Sequence, residues 1–201
     1  MSLFKFIEER IRERELWALR RQLGIPNDRR LWVLACMDER LPVEEVLGLK
    51  PGDAHIFRNA GGLVTSDAIR SAVLSIHFFG TKEIIILNHT ECGMMSATTD
   101  FVVRELLNKV QVKPEDIDLE PGIPELGRFP NEETFGKWFR MFDEVDRICQ
   151  EQVRILREHP LIPDDVVING YVYEVETGHL RKPFQRLSYK VNTSRDMGAR
   201  T

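Results

Sequence analysis

The chain has 201 residues, 28 of them basic and 32 acidic, for a net charge of -4, and 42% of its residues are hydrophobic. That length buries a core without crosslinks and fits a single domain, and the balanced, slightly acidic charge offers nucleic acid no attraction. Three cysteines, Cys36, Cys92 and Cys149, are too few and odd in number for a disulfide framework, which argues for a reducing, cytoplasmic compartment and for thiols with another use.

In chain order, residues 1–24 read as an amphipathic helical arm. Leu3, Ile7 and Ile11 fall at i, i+4 spacing, Leu16, Trp17 and Leu23 extend the apolar side, and Gly24 and Pro26 end it. Glu8, Glu9, Glu13 and Glu15 among its arginines are foreign to a signal peptide. The longest uncharged stretch, Ser71 to Thr81, is about half of what a bilayer span needs, so no membrane partner is expected. Four short apolar runs, LWVLACM from Leu31, AHIFRNAG from Ala54, KEIIILNHT from Lys82 and VVINGYVYEVE from Val166, read as strands buried on both faces. Between the second and third lies a helix that Thr65 or Ser66 caps, with Asp67 in its positive first turn and Gly80 as its stop. Strands alternating with helices give an α/β fold, a mainly parallel sheet flanked by helices, which places ligands outside the carboxyl ends of its strands.

Residues 97–131, with Pro114, Pro121, Pro124 and Pro130 and many acids, read as an irregular surface excursion. From Glu132 to His159 one long helix is expected, carrying Phe135, Trp138, Phe139, Phe142, Val145, Ile148, Val153 and Leu156. A tight ETG turn then folds Val172–Val175 back on the residues near Leu180 as a hairpin. The polar tail, about 184–201, and the N-terminal arm are elements that pack on neighbouring subunits, so a homo-oligomer, a dimer or larger, is expected.

Cys36 ends the first strand, and His89 and Cys92 follow directly on the third. If those strands are neighbours, two thiolates and an imidazole converge at the carboxyl edge. Such a set suits zinc and leaves the fourth tetrahedral position for water. The competing reading is two ordinary buried thiols and a core histidine, since no CxxC pair is present. Asp38 and Arg40 follow Cys36 by two and four residues. A carboxylate there can accept a hydrogen bond from water at a metal while the guanidinium keeps it ionised, although a solvated loop pair would look the same.

The ordered motifs CMDER at 36–40, RNAGG at 58–62 and HTECG at 89–93 resemble the β-class carbonic anhydrase family. Within it, strings such as RRLWVLACMDER, DAHIFRNAGG and GYVYEVETGHLRKP are similar to the carbon disulfide hydrolases and, more distantly, the carbonyl sulfide hydrolases. The resemblance implies one zinc held by Cys36, His89 and Cys92, with Asp38 and Arg40 as the catalytic dyad. It implies that the RNAGG segment, through Gly61 and Gly62, offers backbone N–H groups beside the pocket. The substrate class it implies is a small linear triatomic: hydrolysis of carbon disulfide and of carbonyl sulfide to hydrogen sulfide and carbon dioxide, with carbonic anhydrase activity on carbon dioxide as the alternative. A non-catalytic zinc module or thiol sensor is the reading from a different class, and the intact Asp38–Arg40 pair argues against it. An apolar substrate needs an apolar approach. Phe78, Phe79, Met94, Met95 and Leu63 lie within a few residues of the motifs as candidate lining, with core packing as the plainer alternative. Cys149 reads as a small buried hydrophobe.

Overall fold

The computed structural model describes residues 20–184. The expected N-terminal arm, except for its last few residues, and the tail beyond Phe184 lie outside that range.

Each expected strand forms: β1 (Leu31–Cys36), β2 (Ala54–Asn59), β3 (Glu83–His89) and β4 (Val167–Tyr173), with a short β5 (Leu180–Arg181). They make one sheet in the order β2-β1-β3-β4-β5, parallel throughout except for the β4–β5 hairpin. All six residues of β1 are buried, as its central place and its continuous apolar run require.

Helix α1 (Ser66–Phe79) starts at Thr65, whose hydroxyl accepts the Ala68 N–H, and ends at Gly80 in the left-handed conformation. Its Ala68, Ala72 and Ile76 lie against Trp32, Leu34, Ile84 and Ile86, and Cys149, Val153 and Leu156 of α4 (Val145–Arg157) join the same core. The opposite face carries Leu31, Val33, Ala35 and Leu87, covered by Leu41, Val43, Leu63, Phe142 and Ile148.

Two expectations are corrected. Residues 97–131 are not irregular throughout: they contain helix α2 (Thr99–Val110), capped by Thr98, whose hydroxyl accepts the Phe101 N–H. Val103, Leu106 and Leu107 at i, i+3, i+4 spacing close a small separate core with Phe129 and Phe135. The single helix expected over Glu132–His159 is two, α3 (Glu132–Phe139) and α4. Arg140 turns left-handed at φ 53°, and Glu144 caps α4 by accepting the Asp146 and Arg147 N–H groups. The break lets Phe142 leave the helical path and bury, its N–H donating to the Met94 carbonyl at 3.3 Å.

Helix α4 approaches β4 closely because Gly170 has no side chain. A Cβ there would stand 2.8 Å from Cys149 Sγ and 2.9 Å from Val153 Cγ2. Cys149 is fully buried in this core, and burial pushes its thiol up to about 12. Gly170→Val is therefore expected to cost about 1–3 kcal/mol by overpacking. Urea unfolding checks this, and a midpoint equal to that of the wild type would contradict it.

Candidate metal centre

The register of β1 on β3, in which Ala35 faces Leu87, brings Cys36 to the level of Asn88 at the carboxyl edge of the sheet. The chain turns sharply after His89, with Glu91 left-handed at φ 52°, and this returns Cys92 to the same place. Cys36 Sγ and Cys92 Sγ are 3.8 Å apart, and with His89 their donor atoms all lie within 4.8 Å of one another, each residue buried.

His89 Nδ1 lies 2.8 Å from the Thr90 carbonyl oxygen. A carbonyl only accepts, so Nδ1 carries the proton and Nε2 presents a lone pair. That Nε2 is buried without a hydrogen-bond partner. An orphaned imidazole lone pair beside two thiols is what a soft-metal site requires, so the residues fit a bound metal ion. Cys92 shares its proton with Cys36, which together with the Asp38 and Gly61 backbone N–H groups and His89 holds the Cys36 thiol down to about 4 against the opposing effect of burial. Cys92 is correspondingly pushed up, by the Cys36 thiolate first and by burial second. Burial works against a charge on His89, but contact with Cys36 outweighs it and raises the ring above its ordinary value. Metal binding thus displaces protons from this group.

Asp38 and Arg40 form a bidentate pair at the rim, with Arg40 Nε to Asp38 Oδ1 at 3.0 Å and Nη2 to Oδ2 at 2.9 Å. Asp38 Oδ2 stands 3.8 Å from His89 Nε2. Hydrogen bonds from Arg40 hold the Asp38 carboxyl down at about 2, so it is ionised at any ordinary pH. Arg40 is gripped from its other side by the Glu91 carboxylate at 3.1 Å and the Glu91 carbonyl at 2.9 Å.

Gly61 and Gly62 sit where expected, in a turn directly after β2. Gly62 is left-handed at φ 62°, and a Cβ on it would lie 2.9 Å from the Cys36 backbone nitrogen, so only glycine fits. Leu63 and Met94 pack around Gly61 and line a mostly apolar cavity of about 510 Å³ with Phe57, Trp138 and Phe139. Met95 packs against the cores on both sides of the sheet. Phe78 and Phe79 are not brought to the site. They form the last turn of α1, at the amino end of the sheet, where Phe78 is 72% exposed and Phe79 meets the His55 ring edge-on at 5.8 Å.

Sequence reasoning missed two supports. Arg58 donates to the carbonyls of Cys36 at 2.9 Å, Asp38 at 2.6 Å and Leu41 at 3.1 Å, fixing the loop between ligand and dyad. Its signal was its place at the end of β2, opposite Ala35. Glu91 was hidden because nothing in its spacing marks it as a partner of Arg40.

Three outcomes follow from this geometry. Cys92→Ser should lose bound metal by about tenfold or more in affinity, read as metal content after dialysis, and stoichiometric metal in that variant would contradict the donor set. Because its pKa is depressed, Asp38 contributes stability that is present above the unfolded carboxylate value and is lost as pH falls through about 2. Arg40→Gln should return the Asp38 carboxyl toward about 4, the ordinary aspartate value. A carbon-13 NMR titration of the carboxyl reads this, and an unmoved midpoint would exclude Arg40 as the cause.

A family model described as carbonic anhydrase matches residues 31–180. A carbon disulfide hydrolase of Acidithiobacillus thiooxidans is 55% identical over 202 residues, with 100% of each chain covered. β-Carbonic anhydrase 1 of Mycobacterium bovis is 34% identical over 160 residues, covering 80% of this chain and 85% of the other. Among solved structures, an apo form of carbon disulfide hydrolase matches with a TM-score of 0.76 at 49% identity, covering 99% of this chain and 100% of that one. The match of that family model across β1 to β5, on a parallel sheet whose carboxyl edge gathers Cys36, His89 and Cys92, makes this chain a member of the β-carbonic anhydrase family.

Proposed function

We propose that the chain is a zinc-dependent carbon disulfide hydrolase that also accepts carbonyl sulfide. One carbon disulfide consumes two waters and yields carbon dioxide and two molecules of hydrogen sulfide. The observation that carries this reading is the 55% identity, end to end, with the Acidithiobacillus enzyme, against 34% over a shorter span with a relative named for carbonic anhydrase.

Cys36, His89 and Cys92 would hold the zinc, which supplies a Lewis acid that makes water ionise near neutral pH. His89 keeps its orientation through Nδ1–H to Thr90, so its Nε2 lone pair stays directed at the donor cluster. Asp38 is the catalytic residue: its ionised carboxylate accepts a hydrogen bond from the attacking water and so aims the oxygen lone pair at the substrate carbon. Arg40 occupies both Asp38 oxygens, and this keeps the carboxylate charged and confined to one rotamer. Leu63, Met94, Trp138 and Phe139 give an apolar substrate a surface on which to desolvate. A triatomic with almost no hydrogen-bonding capacity loses nothing there, whereas bicarbonate would shed its hydration without compensation. A reducing, cytoplasmic setting keeps Cys36 and Cys92 available as thiolates. The assembly we assign is a homo-oligomer, a dimer or larger.

Carbon dioxide hydration is the second reading, supported by the motifs common to both activities. Hydrogen sulfide release from carbon disulfide by the zinc-loaded chain separates them: protein that hydrates carbon dioxide quickly and leaves carbon disulfide untouched would refute the proposal. In the same assay Asp38→Asn should retain its zinc and lose about 10²-fold or more in turnover. Undiminished turnover would remove Asp38 from the reaction.

A further inference from the structure

The carbonyl that orients His89 serves it only if Thr90 itself cannot turn. Thr90 stands just past the end of β3, yet each of its polar groups is engaged. Its N–H donates to the Tyr173 carbonyl at 3.0 Å, and its carbonyl accepts the His89 Nδ1–H at 2.8 Å. Its hydroxyl accepts the Val175 N–H at 3.0 Å and donates to Glu176 Oε2 at 2.6 Å. Apart from His89, all of these partners lie within residues 173–176, at the end of β4 and in the turn that leads to β5.

That turn is itself rigid. Gly178, left-handed at φ 73°, donates its N–H to the Glu174 carbonyl at 2.8 Å, and the Glu174 N–H donates to the His179 carbonyl at 2.8 Å. The Glu174 carboxylate accepts the Thr177 hydroxyl at 2.8 Å and pairs with Arg181 at 2.9 Å. Arg181 reaches on to Asp146 of α4 at 3.1 Å, and its side chain is only 19% exposed, so the turn is tied to the body by a half-buried network and not by a solvated pair. The consequence for Thr90 is geometric. Its nitrogen is held by β4 and its Cβ, through the hydroxyl, by the turn; with two bonds of the Cα fixed, the carbonyl carbon leaves in a fixed direction. Rotation about the bond to that carbon would swing Glu91, and Arg40 restrains Glu91 by donating to its carbonyl at 2.9 Å.

We infer that Thr90 is a positioning residue for the metal centre: its hydroxyl, clamped between Val175 and Glu176, fixes the carbonyl that holds the His89 ring, so the turn after β4 governs how firmly His89 holds a metal ion. An imidazole loosely held at its far nitrogen tilts, and its bond to a metal weakens. The turn between β4 and β5 thus does more than join two strands, one of which is only two residues long. This rests on the reading of Cys36, His89 and Cys92 as a metal site, and not on which triatomic is the substrate.

The test compares the full-length wild type with Thr90→Val, which removes the hydroxyl at similar size, with Thr90→Ser, which keeps it, and with Glu176→Gln, which keeps an acceptor without its charge. Each is loaded with zinc for competition against a chelator, and with cobalt for proton NMR, where the His89 Nδ1–H gives a paramagnetically shifted, exchangeable signal. We expect Thr90→Val to bind zinc about tenfold less tightly and to lose that signal to exchange with water. Thr90→Ser should match the wild type in both, and Glu176→Gln should fall between, because a charged acceptor is the stronger one. A Thr90→Val chain that melts earlier but keeps the wild-type zinc affinity and the wild-type signal would overturn the proposal, leaving the hydroxyl a purely structural role. If Thr90→Val does not fold, Glu176→Gln decides: weaker zinc binding with faster exchange supports the clamp, and wild-type values refute it. A wild type that holds no zinc refutes this inference together with the metal site, whereas one that holds zinc and leaves carbon disulfide untouched refutes the substrate reading alone.

Discussion

The site depends on one constraint, the parallel pairing of β1 with β3. Cys36 and Cys92 are separated by 56 positions in sequence and meet because two adjacent buried strands end at the same level. Neither strand has freedom to slip, since β1 is buried on all sides and a one-residue shift would reverse every side chain between faces. The hydrophobic core is therefore what sets the distance between the sulfurs. The loops beyond the strands only have to turn, and Arg58 and Glu91 limit how they do so.

The centre divides into a buried half and a rim. Cys36, His89 and Cys92 lie where the effective dielectric is low, so each charge in the group is felt strongly by the others. Asp38 and Arg40 lie at the edge, where the pair is stable without a desolvation penalty comparable to that of a buried ion pair. This division would suit a metal ion held by the buried residues while water exchanges at the rim. It also explains why the dyad has a second carboxylate behind it: an exposed guanidinium held from one side only would share its time with solvent.

Much of this was legible in sequence. Short continuous apolar runs bounded by turns identified β1 to β4, and the positions of Cys36, His89 and Cys92 at or just past strand ends marked the three residues that the fold brings together. The supports were less legible for physical reasons. Phe78 and Phe79 precede β3 closely in sequence, but a helix that returns from one strand's carboxyl end to the next strand's amino end carries its last turn to the far edge of the sheet. The apolar spacing of Phe135, Phe139, Phe142 and Val145 continues across the break at Arg140, with no Gly or Pro to mark it, so periodicity alone joined α3 to α4. Helix α2 has its cap at Thr98 and an apolar stripe at helical spacing, but the prolines at 114, 121, 124 and 130 that follow it give the segment the composition of a loop.

The small core formed by Val103, Phe129 and Phe135 is separate from the two cores on the faces of the sheet. Cooperative units of a fold tend to follow such boundaries, and a minor cluster opens at lower free energy than the main one. Trp138 and Phe139, packed on Phe135, belong to the minor cluster, whereas Leu63 and Met94 on the opposite side of the cavity belong to the main body. The two sides of the cavity therefore belong to different packing units, and the side built on Trp138 and Phe139 can open without disturbing the core that contains Cys36 and Cys92.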